Sequence, residues 1–509
     1  METDGWQPAR LIPTSGINGQ DEAERRAASA LLAVLQGVRE FRTAVLKPLG
    51  APAGNMDGFI EVPFKLPDER TVYPDGLLRV TRGKTEWTSL VEVKTGTACL
   101  EREQVECYLD IARASGFDSV LTISNQLAPA PGVHPVEVDR RKLRKVALQH
   151  MSWAEVLTMA VRTRVHNGVS DPDQAWILAE LIRYLEHPKS GALDFSDMGS
   201  HWTAVRDAVA AGTLRTTDKG VAEVASRWDQ LLRFTALRLG RELGADVQVV
   251  VPRKELAEPA TRITRFAAEL ADSGTVSGSV RIPDATGPIE ICADLRAATV
   301  SVSVDVDAPA EGRLPTRVGW LVRQLQDSPP QLRIDAYLQG SRSSTSELLS
   351  TVREDPTVLV DPQRREFRLF RVTATSSLGT KRGTGRGSFI DSVLSAVDGF
   401  YEGVVQGLRP WTAKAPRLPK SPLTAAEEAG IDTSPPPEDM TEPSSPDDAP
   451  ASPPEAPRPI GATSERSNGD CMENSAAVVA ARAANPFVNW DAAEQRLEHE
   501  RRHDAAEER

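Results

Sequence analysis

Three residues of this chain have the types and spacing needed for metal-assisted hydrolysis. Asp75 stands at the head of one β-type run, GLLRVTR, and Glu92 and Lys94 lie two apart in the next, TSLVEVK. Side chains repeat every two residues along a strand, so Glu92 and Lys94 project from one face while Val91 and Val93 turn to the core. Two carboxylates and a lysine then converge at the rim of a sheet. A hard divalent cation such as Mg²⁺ takes oxygen ligands and keeps several waters, so Asp75, Glu92 and a backbone carbonyl, that of Val93, would suffice to hold one. Lys94 would sit beside a metal-bound water and orient it or balance charge as a phosphodiester is attacked. The competing reading gives Asp75 a turn-capping role and makes Glu92 and Lys94 a charge pair on a partly exposed strand.

The elements that must position these residues are legible around them. Residues from Gly19 to Phe41 read as one amphipathic helix, with Leu31, Leu32, Val34, Leu35, Val38 and Phe41 at helical spacing behind an acidic first turn. After the Gly/Pro-rich break PLGAPAGNMDG come three β-type runs, FIEVPF, GLLRVTR and TSLVEVK, spaced as a meander. Residues Leu100 to Ala114 return to helical periodicity, DSVLTISN reads as a buried strand, KVALQHM as a last strand, and SWAEVLTMAVRTR as a helix. The expected order is α, β, β, β, α, β, β, α.

Tyr73-Pro74-Asp75-Gly76 followed by Val91-Glu92-Val93-Lys94 resembles the signature of the PD-(D/E)xK nuclease superfamily. The order of elements is similar to that family's core, and the likeness covers about Gly19 to Arg164. It implies an α/β, restriction-endonuclease-like α-β-β-β-α-β fold, with Asp75 and Glu92 binding Mg²⁺ or Mn²⁺ and Lys94 as the catalytic lysine of a phosphodiesterase. Gln104 and Tyr108, four apart on the next helix and so on one face, resemble the Q-x-x-x-Y element of RecB-type members. The family often adds an acidic residue from its first helix to the metal site. Glu24 is the first choice here and Glu22 the second, although neither is fixed by a motif and a solvated helix-terminal glutamate is the plainer reading.

The densest basic cluster, Arg140, Arg141, Lys142, Arg144 and Lys145, precedes the last strand of this region and reads either as phosphate-attracting or as a solvated loop. No helix-turn-helix or finger motif accompanies it, nor does any GxSxG, HExxH or strand-borne GxGxxG sequence. The histidines read as isolated, apart from His499 and His503 on a tail helix. A helical segment is expected over 165–244, with Trp176, Trp202 and Trp228 assigned to packing. An α+β domain over 245–409 should carry strands QVVVP, SGSVRIP, PIEICADL, TVSVSVDV, QLRIDAYL and FRLFRVTAT, with helices near Arg262, Val318, Ser346 and Phe389. The glycine-rich stretch GTKRGTGRGS lacks phosphate-loop spacing and reads as a mobile basic loop.

Of the formal charge of -12, about -9 falls between Pro410 and Arg509, a stretch that also holds 14 of the 37 prolines within Pro410–Pro459. That composition predicts a disordered linker, ending in a short helix after Asn489 that reads either as a fraying terminal helix with no role, the plainer reading, or as a dock for a protein partner. A near-neutral remainder leaves room for a basic groove. No run is apolar enough for a membrane helix, no signal peptide opens the chain, and four scattered cysteines give no zinc or disulfide framework, so a cytoplasmic protein is expected. The sequence thus points to a metal-dependent nuclease, most readily of DNA, in repair, foreign-DNA defence or stress response. The alternative is a catalytically silent nuclease fold serving as an interaction or regulatory module.

Overall fold

The computed structural model describes residues 20–128, 132–187, 189–341 and 343–413, together with Gln7–Pro8. The Pro-rich tail, its expected helix, Cys471, His499 and His503 lie outside the described residues. Two mixed α/β layers of structure are built on two separate sheets.

The first sheet belongs to a run of elements comprising β1 (Gln7–Pro8), α1 (Gln20–Gly37), α2 (Arg39–Leu46), β2 (Asn55–Ile60), a small hairpin of β3 (Phe64–Lys65) and β4 (Thr71–Val72), β5 (Gly76–Arg82), β6 (Thr85–Val93), α3 (Arg102–Ser115), β7 (Ser119–Ser124), β8 (Ala147–Ser152), α4 (Trp153–Val161) and α5 (Pro172–Glu186). Its strand order is β1-β2-β5-β6-β7-β8, antiparallel as far as β6 and parallel from β6 to β8. The parallel step from β6 to β7 requires a crossover, which α3 provides. Both faces are covered, which is why β6 and β7 read as near-continuous apolar runs. On one face Leu31, Leu35 and Phe41 of α1 and α2, with Val156 of α4 and Leu181 of α5, pack on Leu78, Val91, Val93 and Leu121. On the other, Val105, Leu109 and Ala112 of α3 pack on Leu77, Leu90 and Val120.

The expected order of elements recurs with local differences. The single helix Gly19–Phe41 is interrupted at Val38, whose backbone is extended (φ -111°, ψ 102°), so α2 begins a new direction and seats Phe41 in the core. The first β run falls earlier than FIEVPF, over Asn55–Ile60, because Pro63 and the β3–β4 hairpin follow it. The stretch 165–244 is not one helical segment. Leu178, Leu181 and Leu185 of α5 belong to the first sheet's core, whereas α6 (Trp202–Ala210) and α7 (Val221–Leu243) belong to the second. Trp202 and Trp228 are buried as expected, but Trp176 is 61% exposed on the outer face of α5.

Beyond α7 come β9 (Gln248–Val249), α8 (Arg253–Ala257), α9 (Pro259–Asp272), β10 (Thr275–Arg281), β11 (Ile289–Asp294), β12 (Thr299–Asp307), α10 (Leu314–Gln324), β13 (Arg333–Leu338), β14 (Ser344–Leu348), α11 (Leu349–Glu354), β15 (Phe367–Ser377) and α12 (Phe389–Gly403). The seven strands are antiparallel in the order β14-β13-β15-β12-β11-β10-β9. Ser346, expected near a helix, lies in β14, where its neighbours alternate between exposed and half-buried, and the helix starts only at Leu349. The Gly379–Ser388 loop, read as mobile, is tied to α6: the Trp202 indole N–H and Arg206 both donate to the Thr380 carbonyl, at 2.9 and 2.8 Å.

One junction matters for everything below. At the β8–α4 corner, Ser152 Oγ accepts from the Glu155 N–H at 3.1 Å while Glu155 Oε2 accepts from the Ser152 N–H at 2.6 Å. This capping box satisfies two donors that a buried helix start would otherwise orphan. Replacing Ser152 by Ala removes the cap and leaves half-buried Glu155 short of a partner. We expect a loss of about 1–2 kcal/mol in a urea unfolding series, and an unchanged midpoint would show that the corner is held by packing alone.

Candidate functional site

Register brings the chemistry together. Gly76 pairs with Val91, which sets Asp75 beside Glu92 at the β5–β6 rim; Glu92 pairs with Thr122 on β7, and Thr122 with His150 on β8. Alternation puts this row on the α3 face, since Leu77, Leu90 and Val120 of the same strands pack against α3. Asp75, Glu92, Thr122 and His150 therefore line one polar row across four adjacent strands.

At the acidic end of the row the contacts are close. Asp75 Oδ2 accepts the Val93 N–H at 2.7 Å. Glu92, only 2% exposed, holds Lys94 Nζ at 2.7 Å, and the same ammonium is 3.4 Å from Glu24 Oε2 of α1. Glu24 Oε1 accepts the Thr95 N–H at 3.2 Å. Gln104 Nε2 donates to the Tyr108 hydroxyl at 3.1 Å, and that hydroxyl bonds the Glu92 carboxylate. The Lys94 carbonyl accepts the Trp153 indole N–H at 2.9 Å, so the corner at Ser152 fixes the end of β6. Asp75, Glu92, Lys94, Gln104, Tyr108 and Glu24 are thus in one cluster. Val93 joins it through its N–H rather than through any contact of its carbonyl to a side chain. Glu22 does not: it is buried with Oε2 lacking a hydrogen-bond partner, and no contact links it to Lys94.

Burial dominates the electrostatics. It raises Asp75 well above the ordinary carboxylate range, and the Glu92 charge raises it further against the pull of the Val93 N–H and Lys94. Glu92 is also raised, by burial first, with Lys94 opposing. Burial pulls the Lys94 ammonium down, yet Glu92, Glu24 and Asp75 outweigh it and keep the amine charged at neutral pH. Tyr108 is raised by burial and by Glu92, so its hydroxyl remains a donor.

Asp75 and Glu92 come within hydrogen-bonding reach of each other and the Lys94 ammonium lies between Glu92 and Glu24, so the oxygen donors a hard cation takes stand beside one fixed positive charge. Among the described residues no group of three or more His, Cys, Asp or Glu is placed to hold a metal ion by itself.

Sequence reasoning missed the other half of the row. His134 Nε2 and His150 Nδ1 both meet Thr122 Oγ1, at 2.8 and 2.9 Å, and the two rings stack edge to face with centroids 5.5 Å apart. Neither histidine is isolated. The Val136 N–H donates to His134 Nδ1 and His150 Nε2 lies 2.7 Å from the Gln126 carbonyl. His134 Nδ1 lies equally 3.0 Å from the Val136 carbonyl, and the Thr122 hydroxyl also reaches the Gln149 carbonyl at 3.4 Å, so the two rings, Thr122 and the backbone form one hydrogen-bonded network. Burial depresses both imidazoles, that of His150 to about 4. The only sequence signal was a polar residue within each run, Thr122 in SVLTIS and His150 in ALQHMS, and the strand register alone places Thr122 between Glu92 and His150.

The basic cluster lies elsewhere. Lys142 pairs with Asp110 on the outer side of α3, and Ala147 pairs with Ser119 at the opening of β7. That is three residues, about 10 Å, along the strands from the Thr122 row. The structure does not bring Arg140, Arg141, Lys142, Arg144 or Lys145 to the acidic cluster.

No family model matches the chain, and no curated protein matches it.

Two pH dependences follow. With Asp75 raised, the folded chain retains a proton that the unfolded chain releases near pH 3.9. Stability from this group is therefore present below that value and lost as pH rises through the raised one. Asp75→Asn should remove the loss, so that in EDTA its melting midpoint gains on the wild type as pH rises from 4 to 8. A gap constant with pH would refute this. His150 has the opposite sign: its unfolded value near 6.5 exceeds its folded value of about 4, so stability falls as pH drops between them, by about 1.4 kcal/mol per unit of separation. His150→Gln should flatten the acid limb of a stability profile over that window.

Proposed function

We propose that the first α/β layer is a metal-dependent phosphodiesterase acting on nucleic acid, most readily DNA, with Mg²⁺ or Mn²⁺ as its cofactor. The observation that carries the reading is the union of Asp75, Glu92 and Lys94 with Glu24, Gln104 and Tyr108 in one buried cluster at a sheet rim. Nothing about a structural strand requires two desolvated carboxylates to face each other, because burying such groups unpaired is costly. A site that recruits a dication explains their juxtaposition.

In this reading Asp75 and Glu92 hold the ion, which when bound supplies Lewis acidity and an acidified water. Lys94, kept protonated by its three acidic neighbours, presents a fixed positive charge toward the scissile phosphate. Tyr108, braced by Gln104, keeps the Glu92 carboxylate aimed, and Glu24 holds Lys94 and the Thr95 N–H in place from α1. The Trp153 bond to the Lys94 carbonyl prevents that strand end from fraying. The positive cluster from Arg140 to Lys145, set apart from the rim, serves as a secondary phosphate contact for a long substrate.

A second reading is favoured by one contact. Lys94 neutralises Glu92 at 2.7 Å without any ion, which a catalytically silent platform would also use. The two part in a simple assay. Purified protein is incubated with supercoiled, linear and single-stranded DNA with Mg²⁺, Mn²⁺ or EDTA, beside Asp75→Ala and Lys94→Ala. Metal-dependent cutting that drops by about 100-fold or more in each variant supports the enzyme. Folded wild type that cuts none of the three substrates under any metal supports the platform.

A further inference from the structure

Outside the carboxyl ends of the three parallel strands lies a cavity that the acidic cluster does not use. Each strand supplies the residues that follow it: Gly96 and Thr97 after β6, Asn125 and Leu127 after β7, and Ala154 after β8. That is where open α/β sheets place their ligands. The cavity holds about 240 Å³, and its remaining walls are residues 193–197 and the helix α7. Gly96 lies just beyond Lys94 in the chain, so the cavity adjoins the acidic rim.

Backbone contacts hold these walls in place. The Gly96 N–H donates to the Gly191 carbonyl at 2.8 Å, and Asn125 Nδ2 donates to the carbonyls of Gly96 and Gly191 at 2.9 and 2.8 Å. Asn125 Oδ1 accepts the Leu193 N–H at 2.8 Å, which straps 191–193 across the strand ends. Only glycine suits position 191, where φ is +81° and a Cβ would come within 2.7 Å of Thr95 Cβ. The lining divides by chemistry. Leu127, Phe195 and Phe234 make it apolar, the two rings having centroids 6.3 Å apart. Arg227 and Gln230, three apart on α7, bring donors. Arg227 Nη1 donates to Gln230 Oε1 at 3.1 Å, which leaves Gln230 Nε2 and Arg227 Nη2 without an acceptor among the described residues, and neither atom is buried. Glu223, the acid whose charge Arg227 feels, is taken by His201 and by the Ser200 N–H. Exposed Asp194 adds an acceptor to the same cavity.

We propose that this cavity seats an unpaired nucleobase of the strand whose phosphodiester faces Lys94, an assignment that rests on reading the acidic rim as a nuclease site. Volume makes the first choice. Pockets for drug-sized ligands run to about 300–1,000 Å³, so this smaller one takes a ring system and leaves sugar and phosphate outside. A nucleobase beside the scissile bond meets that condition, because its phosphate stays with Lys94 while its ring enters. The aromatic wall stacks on the ring, a contact that every base offers. Arg227 and Gln230 donate to carbonyls or ring nitrogens on the base edge, and Asp194 accepts from an amino or imino N–H. A base paired and stacked in a duplex offers neither its faces nor its pairing edge, so the strand is single at this point, unpaired beforehand or extruded. The substrate class is therefore single-stranded or locally melted nucleic acid.

The test uses the full chain carrying Asp75→Asn, which keeps an acceptor for the Val93 N–H and, on the nuclease reading, does not cut. Fluorescence anisotropy in Mg²⁺ measures its affinity for a short fluorescein-labelled single-stranded DNA and for the same chain made abasic throughout. Gln230→Leu and Arg227→Gln are then added, both at half-buried positions of α7 away from its buried Val224, Trp228 and Leu231, so that the fold is kept. The base-bearing strand should bind about tenfold tighter than the abasic one. Gln230→Leu should cut that ratio about threefold or more with the abasic affinity unchanged, and Arg227→Gln should cut it similarly while weakening both strands through its lost charge. A starting ratio near one, no saturable binding of either strand, or a ratio that both substitutions leave intact would overturn the proposal. Cutting by the wild type reads the nuclease separately: base preference without cutting rejects the nuclease reading and keeps the pocket as a base site, whereas cutting without base preference does the reverse.

Discussion

The desolvation of Asp75 and Glu92 is the constraint around which the first layer is arranged. Each carboxylate sits at the end of a strand, and burial is the largest influence pushing each toward its neutral form. Such a pair persists only if the surrounding fold over-determines it. The compensation is visible: a backbone N–H from Val93, an ammonium from Lys94 and a phenol from Tyr108. Each compensating group is anchored in turn, Lys94 by Glu24 and by the indole of Trp153 on its carbonyl, Tyr108 by Gln104. The helices α1, α3 and α4 therefore do more than cover a sheet, because α1 sends Glu24, α3 sends Gln104 and Tyr108, and α4 sends the Trp153 indole to the same rim.

That arrangement also explains the polar row continuing past β6. Once two strands end in carboxylates on the α3 face, the adjoining positions of β7 and β8 cannot be apolar without sealing the rim. Thr122 and His150 fill them with neutral hydrogen-bonding groups that add no charge to an already strained neighbourhood. His150 meets the Gln126 carbonyl and His134 the backbone of Val136. The loop between β7 and β8 is thereby tied at two points to the row that it overhangs.

Much of this was readable from residue order, and the remainder failed for identifiable reasons. Short β-type runs located β5, β6, β7 and β8, and helical spacing located α3, because both faces of the sheet are buried and the apolar runs are correspondingly strong. The Asp75, Glu92 and Lys94 grouping, with Gln104 and Tyr108 four apart, was legible because each partner is close in sequence or fixed by one hairpin. Thr122, His134 and His150 were not, since their meeting depends on the parallel register of β7 and β8 and on a long loop. Trp176 was misread because aromatic type was taken for burial, whereas α5 buries the stripe of Leu178, Leu181 and Leu185 and leaves Trp176 outside it. Ser346 was misread because β14 is an edge strand with only half-buried alternate positions, which weakens its period.

The two sheets meet through a shared helix pair rather than by independent cores alone. Thr158 of α4 donates to the Leu237 carbonyl of α7 at 3.3 Å, and Asp229 of the same α7 faces Arg262 of α9. The helix that starts at the Trp153 anchor of Lys94 thus rests on the helix that carries the counter-ion of the buried arginine. Asp229 is 4% exposed and accepts from Arg233 as well, so its charge is shared between two guanidinium groups. A buried charge shared in this way is sensitive to anything that engages one partner, because the low local dielectric leaves no solvent to screen the change.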